Sequence, residues 1–172
     1  MGGMVAQELA INYPERVNKL VLACTFARRD ETGGFCSEID EAIEVYERSS
    51  RDEASFRRFS SAMVPFALNK WSNRVFLVPL MKFLIRFVAV TGSAAQFQAV
   101  LAHDAADRLG MIKAPTLVMA GTEDRVIKPV SSDVIVGLVP NAKLVKVSGG
   151  GHNFPDEMRD EFNRVVLDFL RS

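Results

Sequence analysis

The chain has 172 residues, 48% hydrophobic and 24% charged, the size and composition of one domain able to bury a core. Its 21 Lys and Arg balance 21 Asp and Glu, which argues against a nucleic-acid or anionic-surface partner. With 2 cysteines, no basic-then-apolar leader and no apolar run of about 18 residues, the chain reads as a reduced, cytoplasmic protein without a spanning helix.

The opening stretch, "MGGMVAQELAINYPERVNKLVLAC", predicts a helix over 2–13 that Pro14 ends, then a short buried strand over 18–24. Met1, Val5 and Leu9 recur every four residues and Met4 widens the stripe, so this face is expected to be the buried one. A Gly-Gly pair in the first turn weakens a helix and is useful where something must approach closely.

From about 26 to 95 the chain is helical in character and carries 8 of its 12 phenylalanines, together with Trp71. It is expected to be a helical lid or cap inserted into a core made of 1–25 and 96–172. Within it, "KWSNRVFLVPLMKFLIRFVAV" interleaves Lys70, Arg74, Lys82 and Arg86 with Phe76, Phe83 and Phe87. A membrane-surface helix has this pattern, but an amphipathic lid helix bent near Pro79, apolar face on the main domain, accounts for it more simply.

Alternation then becomes clear. "QAVLAHDAADRL" predicts a helix, "APTLVMAG" a strand over 115–120, "VSSDVIVGLV" a helix over 130–139 and "AKLVKV" a strand over 142–147. "PDEMRDEFNRVVLDFLRS" predicts a closing helix over 156–170, with Phe162, Val165, Val166, Phe169 and Leu170 as its stripe. Strand alternating with helix implies an α/β fold, here about three parallel strands flanked by helices.

The chemistry falls at two loop tips. In "TLVMAGTEDRVIKP" a strand ends at Gly121 and Asp124 follows; in "KLVKVSGGGHNFPDE" a strand ends in three glycines and His152. Sites in open parallel sheets gather at the carboxyl ends of strands. An acid and an imidazole placed there, 28 residues apart, can pair so that the carboxylate fixes the imidazole tautomer and His152 acts as a general base. Alone, a loop Asp is commonly a turn or cap residue and a His beside glycines a solvated one. Glu123 is the rival to Asp124. His103, expected inside a helix beside Asp104, reads as structural. Cys24, at a strand end, could be a nucleophile but reads better as a small buried residue. The sequence shows no metal-ligand cluster and no phosphate loop, so no cofactor is expected.

The opening stretch closely resembles the segment just after the nucleophile in α/β-hydrolase-fold enzymes. That family carries G-x-S-x-G, often extended as Gly-His-Ser-Met-Gly-Gly, on a sharp strand-to-helix turn. The resemblance puts Met1 immediately after the nucleophile, where its N–H is an oxyanion-hole donor, and Gly2 on the motif's last glycine. Asp124 falls on the family's acid and His152 on its histidine, in the family's order. It covers both flanks and covers the lid poorly.

What it implies is a partial α/β-hydrolase fold: a hydrolase of an ester, lactone or similar bond acting through an acyl-enzyme, here without its nucleophile and therefore inactive as written. Two alternatives stay open. The chain is a non-catalytic remnant, binding module or half of a split enzyme, or its parent is an epoxide hydrolase or dehalogenase with an Asp nucleophile. The expected ligand is a small molecule with an apolar group, against Phe66, Trp71 and Phe76 in the lid. An open edge on the first strand implies edge-to-edge self-association or pairing with a missing N-terminal half.

Overall fold

The computed structural model describes residues 1–30, 32–69, 71–85 and 91–172; the side chains of 71–74 and 91–93 lie outside that description. Three parallel strands form its centre, β1 (Leu20–Ala23), β2 (Thr116–Gly121) and β3 (Ala142–Val147), in the order β1-β2-β3. Leu22 lies opposite Val118, and Val118 opposite Leu144. Every residue of β2 is buried, as a central strand covered on both faces requires. The three expected strands are thus present, in one sheet and parallel.

Helix α1 (Gly2–Asn12) precedes β1. Its buried face is Met4, Gln7, Ala10 and Ile11, whereas Met1, Val5 and Leu9 are exposed, so the expected stripe is rotated away from the sheet. The cause is close contact at Gly3, where a Cβ would stand 2.6 Å from the Thr25 Cβ. Backbone and Thr25 meet there, which turns Gln7 inward. Gln7 is fully buried and satisfied: its amide donates to the Phe26 carbonyl at 3.0 Å, and its Oε1 lies 3.2 Å from His103 Nε2. The Glu8 carboxylate accepts two bonds from the Arg108 guanidinium, at 2.8 and 2.6 Å, closing α1 onto the segment before β2.

Between β1 and β2 lie α2 (Ser37–Glu47), α3 (Glu53–Ala67), α4 (Trp71–Leu84) and α5 (Thr91–Leu101). Tyr46, Phe56, Phe59 and Phe97 form a ring cluster with centroids 4.6–6.1 Å apart. It is continuous with buried Phe26, Phe35, Ile39 and Ile43, which reach Met4 of α1. The α4 expectation fails on one point. Its described apolar side chains do not cover the main domain: Phe76 is 72% exposed, and Val75, Leu77, Leu80, Met81, Phe83 and Leu84 are exposed too.

The helix expected over "QAVLAHDAADRL" is broken. α5 ends at Leu101, Asp104 bridges back to Arg28, and a 3-10 turn runs Ala106–Met111. The ion pairs of Arg28 with Asp104 and Asp107 and the Gln7–His103 contact hold this break, so His103 sits outside a helix. After β2 come α6 (Val130–Leu138), β3, and a closing helix in two parts, α7 (Phe154–Glu157) and α8 (Arg159–Arg171), parted at Met158 with ψ 43°. Lys19 reaches across to donate to the Phe169 and Leu170 carbonyls at 2.8 and 3.2 Å, capping α8 beside the start of β1. Among the described residues no helix is long and apolar enough to cross a membrane.

Candidate active site

β2 and β3 are hydrogen-bonded neighbours, so the loops leaving their carboxyl ends emerge side by side. Gly121 lets these loops touch. A Cβ there would collide with the backbone of Gly150 and Gly151, so only glycine ends β2 against the His152 loop. Thr122 N–H donates to the Val147 carbonyl at 3.0 Å, Glu123 N–H to the Gly150 carbonyl at 2.9 Å, and Gly149 N–H to Thr122 Oγ1 at 2.9 Å. Gly149 takes φ +71°, a left-handed conformation that favours glycine.

This lacing brings His152 Nδ1 to 2.9 Å from Asp124 Oδ2. The other carboxylate oxygen accepts from the N–H groups of Val126 and Ile127, at 2.8 and 3.0 Å. The Asp124 side chain is only 3% exposed, that of His152 31%. A buried carboxylate held by two backbone donors accepts from the ring, so Nδ1 is the donor, and in the neutral ring Nε2 is the nitrogen with the lone pair. Glu123, the rival acid, points elsewhere: its carboxylate accepts from the Asn69 amide at 2.9 Å.

The third strand end joins this place. Cys24 follows β1 with φ +49°, a left-handed conformation unusual for a residue with a Cβ. Its sulfur, a carboxylate oxygen of Asp124 and a ring nitrogen of His152 all lie within 4.8 Å of one another. The sequence reading missed this grouping, because Cys24 is 100 residues from Asp124 and only the strand order unites them. Burial, with the Asp124 charge beside it, pushes the Cys24 thiol well up, so it is a poor nucleophile at neutral pH. Cys36 is likewise pushed up, to about 11, mainly by burial; its Sγ lies 3.5 Å from the Asp124 carbonyl.

Met1 is the N-cap of α1, its carbonyl accepting from Met4 and Val5 N–H at 2.9 and 3.2 Å. Since Gly3 abuts Thr25, next to Cys24, this end of α1 lies at the same carboxyl edge of the sheet. Of the three expected lid contacts, Phe66 reaches the site's border: the Arg125 guanidinium stacks over its ring at 4.9 Å. Phe76 is exposed on α4, and the Trp71 side chain falls outside the described residues.

Sequence reading also missed Asn69. Its amide donates to Glu123 and to the Gly149 carbonyl, its backbone N–H donates to the buried Glu157 carboxylate at 3.1 Å, and Gly151 packs on its Cβ. Asn153 N–H donates to the Ala67 carbonyl at 3.2 Å. The end of α3 is thereby tied to both site loops. The only hint in sequence is a polar residue just after the apolar end, Met63–Leu68, of α3.

A sequence profile for the alpha/beta hydrolase fold matches residues 1–157. The chain belongs to the α/β-hydrolase-fold family. Among the hydrolases it resembles is a protein of Azorhizobium caulinodans named "Putative carbamate hydrolase RutD", 27% identical over 98% of this chain and 63% of that protein. A 2-hydroxy-6-oxononadienedioate/2-hydroxy-6-oxononatrienedioate hydrolase of Burkholderia vietnamiensis is 32% identical over 99% of this chain and 60% of its own length. The crystal structure of an enol-lactonase from Burkholderia xenovorans superposes with a TM-score of 0.75 at 26% identity, covering 100% of this chain and 63% of that one. This α/β hydrolase chain thus spans less than two thirds of the length of these relatives. The sheet and its parallel order are those of the fold.

Proposed function

We propose that this chain carries the acid and the base of an α/β hydrolase acting on an ester, lactone or similar bond through an acyl-enzyme. The observation that carries the reading is the 2.9 Å contact between His152 Nδ1 and a buried, doubly hydrogen-bonded Asp124 at adjacent strand ends. In this reading His152 Nε2 takes the proton of a serine that precedes Met1 and later returns one to the leaving group. Asp124 holds the ring in that tautomer and stabilises its cation. The N–H of Met1 helps bind the oxyanion, and the helices of 26–95 form a lid whose Phe66 faces the apolar part of the substrate.

The edge of β1 away from β2 is unpaired among the described residues. In the same reading it receives a strand from upstream sequence. Without that sequence it is the place for edge-to-edge self-association.

The test compares the 172-residue chain with a version extended upstream through the serine, using an activated phenyl ester. The extended protein turns over, its His152→Ala form loses about 10³-fold or more, and the short chain stays at background. Activity of the extended protein that survives His152→Ala would sink the assignment. An upstream Asp in place of the serine would move the parent to the epoxide hydrolases or dehalogenases, and an upstream stop codon would make the chain a non-catalytic module.

A further inference from the structure

The ends of all three strands converge on one point, and each brings a different donor: a sulfur from Cys24, a carboxylate oxygen from Asp124 and an imidazole nitrogen from His152. We propose that this cluster is a zinc site, in which Cys24, Asp124 and His152 hold one zinc ion and water takes the fourth position.

The donor set fits. Zinc is borderline-soft and takes thiolate, imidazole and carboxylate together in tetrahedral sites. With sulfur at about 2.3 Å and nitrogen and oxygen at about 2.0–2.2 Å, its donors stand roughly 3.3–3.7 Å apart. Here Nδ1 and Oδ2 are 2.9 Å apart and the whole set lies within 4.8 Å, so shifts of roughly 1 Å or less per group complete the site. Of the two groups that must move, the His152 side chain is 31% exposed and can turn about its own side-chain bonds, and the Cys24 side chain is half-buried at the end of β1. The part that must not move is fixed, since Val126 and Ile127 N–H hold the second oxygen of Asp124 and aim the first. The left-handed backbone at Cys24 accompanies a sulfur turned onto this carboxylate rather than away from it.

The exchange balances. Zinc bonds to Sγ and the thiol proton passes to solvent. Zinc bonds to Nδ1, and the ring proton there is replaced by one on Nε2, so the imidazole stays neutral. Both groups that the hydrolase reading needs for proton transfer are then occupied. It follows, on that reading, that zinc is a reversible inhibitor, and that the free enzyme requires this site to be metal-free.

Binding is tested without turnover. Cobalt(II) is titrated as the probe into the reduced chain and into the upstream-extended protein, followed by zinc competition. The expected result is one cobalt per chain, with tetrahedral visible bands and a thiolate-to-cobalt absorption that zinc abolishes. Cys24→Ala should remove the thiolate absorption, and both Cys24→Ala and His152→Ala should weaken binding by more than the roughly 10–100-fold that loss of an outer-shell partner costs. Cys36→Ala, which keeps all three donors, should bind as the parent does. Loss of the band in Cys36→Ala but not in Cys24→Ala, or absence of any thiolate band, overturns the proposal. Because these readouts are spectroscopic, they stand whether or not the extended protein hydrolyses an ester.

Discussion

Two consecutive helices, α3 and α4, are of similar length, each with one internal proline, and they have opposite fates. In α3 the charged Glu53, Arg57 and Arg58 share the helix with Phe56, Phe59 and Val64, and the aromatic side buries into the cluster with Tyr46 and Phe97. α4 is apolar nearly all round, from Val75 to Leu84, with Lys82 the charge in its last turn, and Val75, Phe76, Leu77, Leu80, Met81, Phe83 and Leu84 stay exposed. A helix apolar on every face has no side that specifies its neighbour. Burial here followed contrast between faces rather than hydrophobic content.

The sharpest way to break this contrast is at Phe59, 8% exposed and packed on the rings of Tyr46 and Phe97 at 5.4 and 4.6 Å. Phe59→Ala should cost about 3–5 kcal/mol in urea unfolding; a loss below about 1 kcal/mol would mean the cluster is not a core. Asn69, at the end of α3, comes next. Asn69→Ala removes the bonds to Glu123 and Gly149 but keeps the backbone donor to Glu157, and should cost about 1–2 kcal/mol. It should also raise amide exchange in 149–152, where an unchanged pattern would deny the tie between α3 and the site.

The N-terminus of α3 gives a smaller effect. Asp52 caps it by accepting from Ser55 N–H at 2.7 Å, and the bonds from Ser55 and Ser50 hold its carboxyl down at about 2, below the usual 3.8. A depressed folded value stabilises above the unfolded one and fades as pH falls toward the folded one. Asp52→Ala should therefore lower the melting temperature slightly at pH 6, and the gap should shrink as pH falls from 4 toward 2, while Asp52→Asn stays close to the parent. On α4, Phe76→Ser should change stability by no more than about 0.5 kcal/mol, because the ring is exposed already. A large loss there would show that the face is covered in solution.

What the sequence revealed and hid follows the same division. The strands were legible because "LVLA", "TLVMAG" and "AKLVKV" are short apolar runs stopped by a turn or a glycine. Asp124 and His152 were legible because each follows such a strand, and the adjacency of β2 and β3 then makes them partners. Long-range side-chain contacts were hidden. The buried face of α1 depends on Gly3 against Thr25, and the break after α5 depends on Arg28 meeting Asp104 and Asp107. Asn69 gains its role from loops 54 and 80 residues further along. No local periodicity records such partners.

The lacing of the β2 and β3 loops also orders events in time. Asp124 and His152 are separated by 28 residues, whereas Asn69 meets Glu123, Gly149 and Glu157 across 54, 80 and 88. Closing a loop about three times longer costs roughly 1 kcal/mol more in chain entropy. The acid–histidine contact within β2–α6–β3 therefore costs less chain entropy to close than the Asn69 tie. During folding, or on the bench under mild denaturant, the pair should assemble first and the Asn69 tie last.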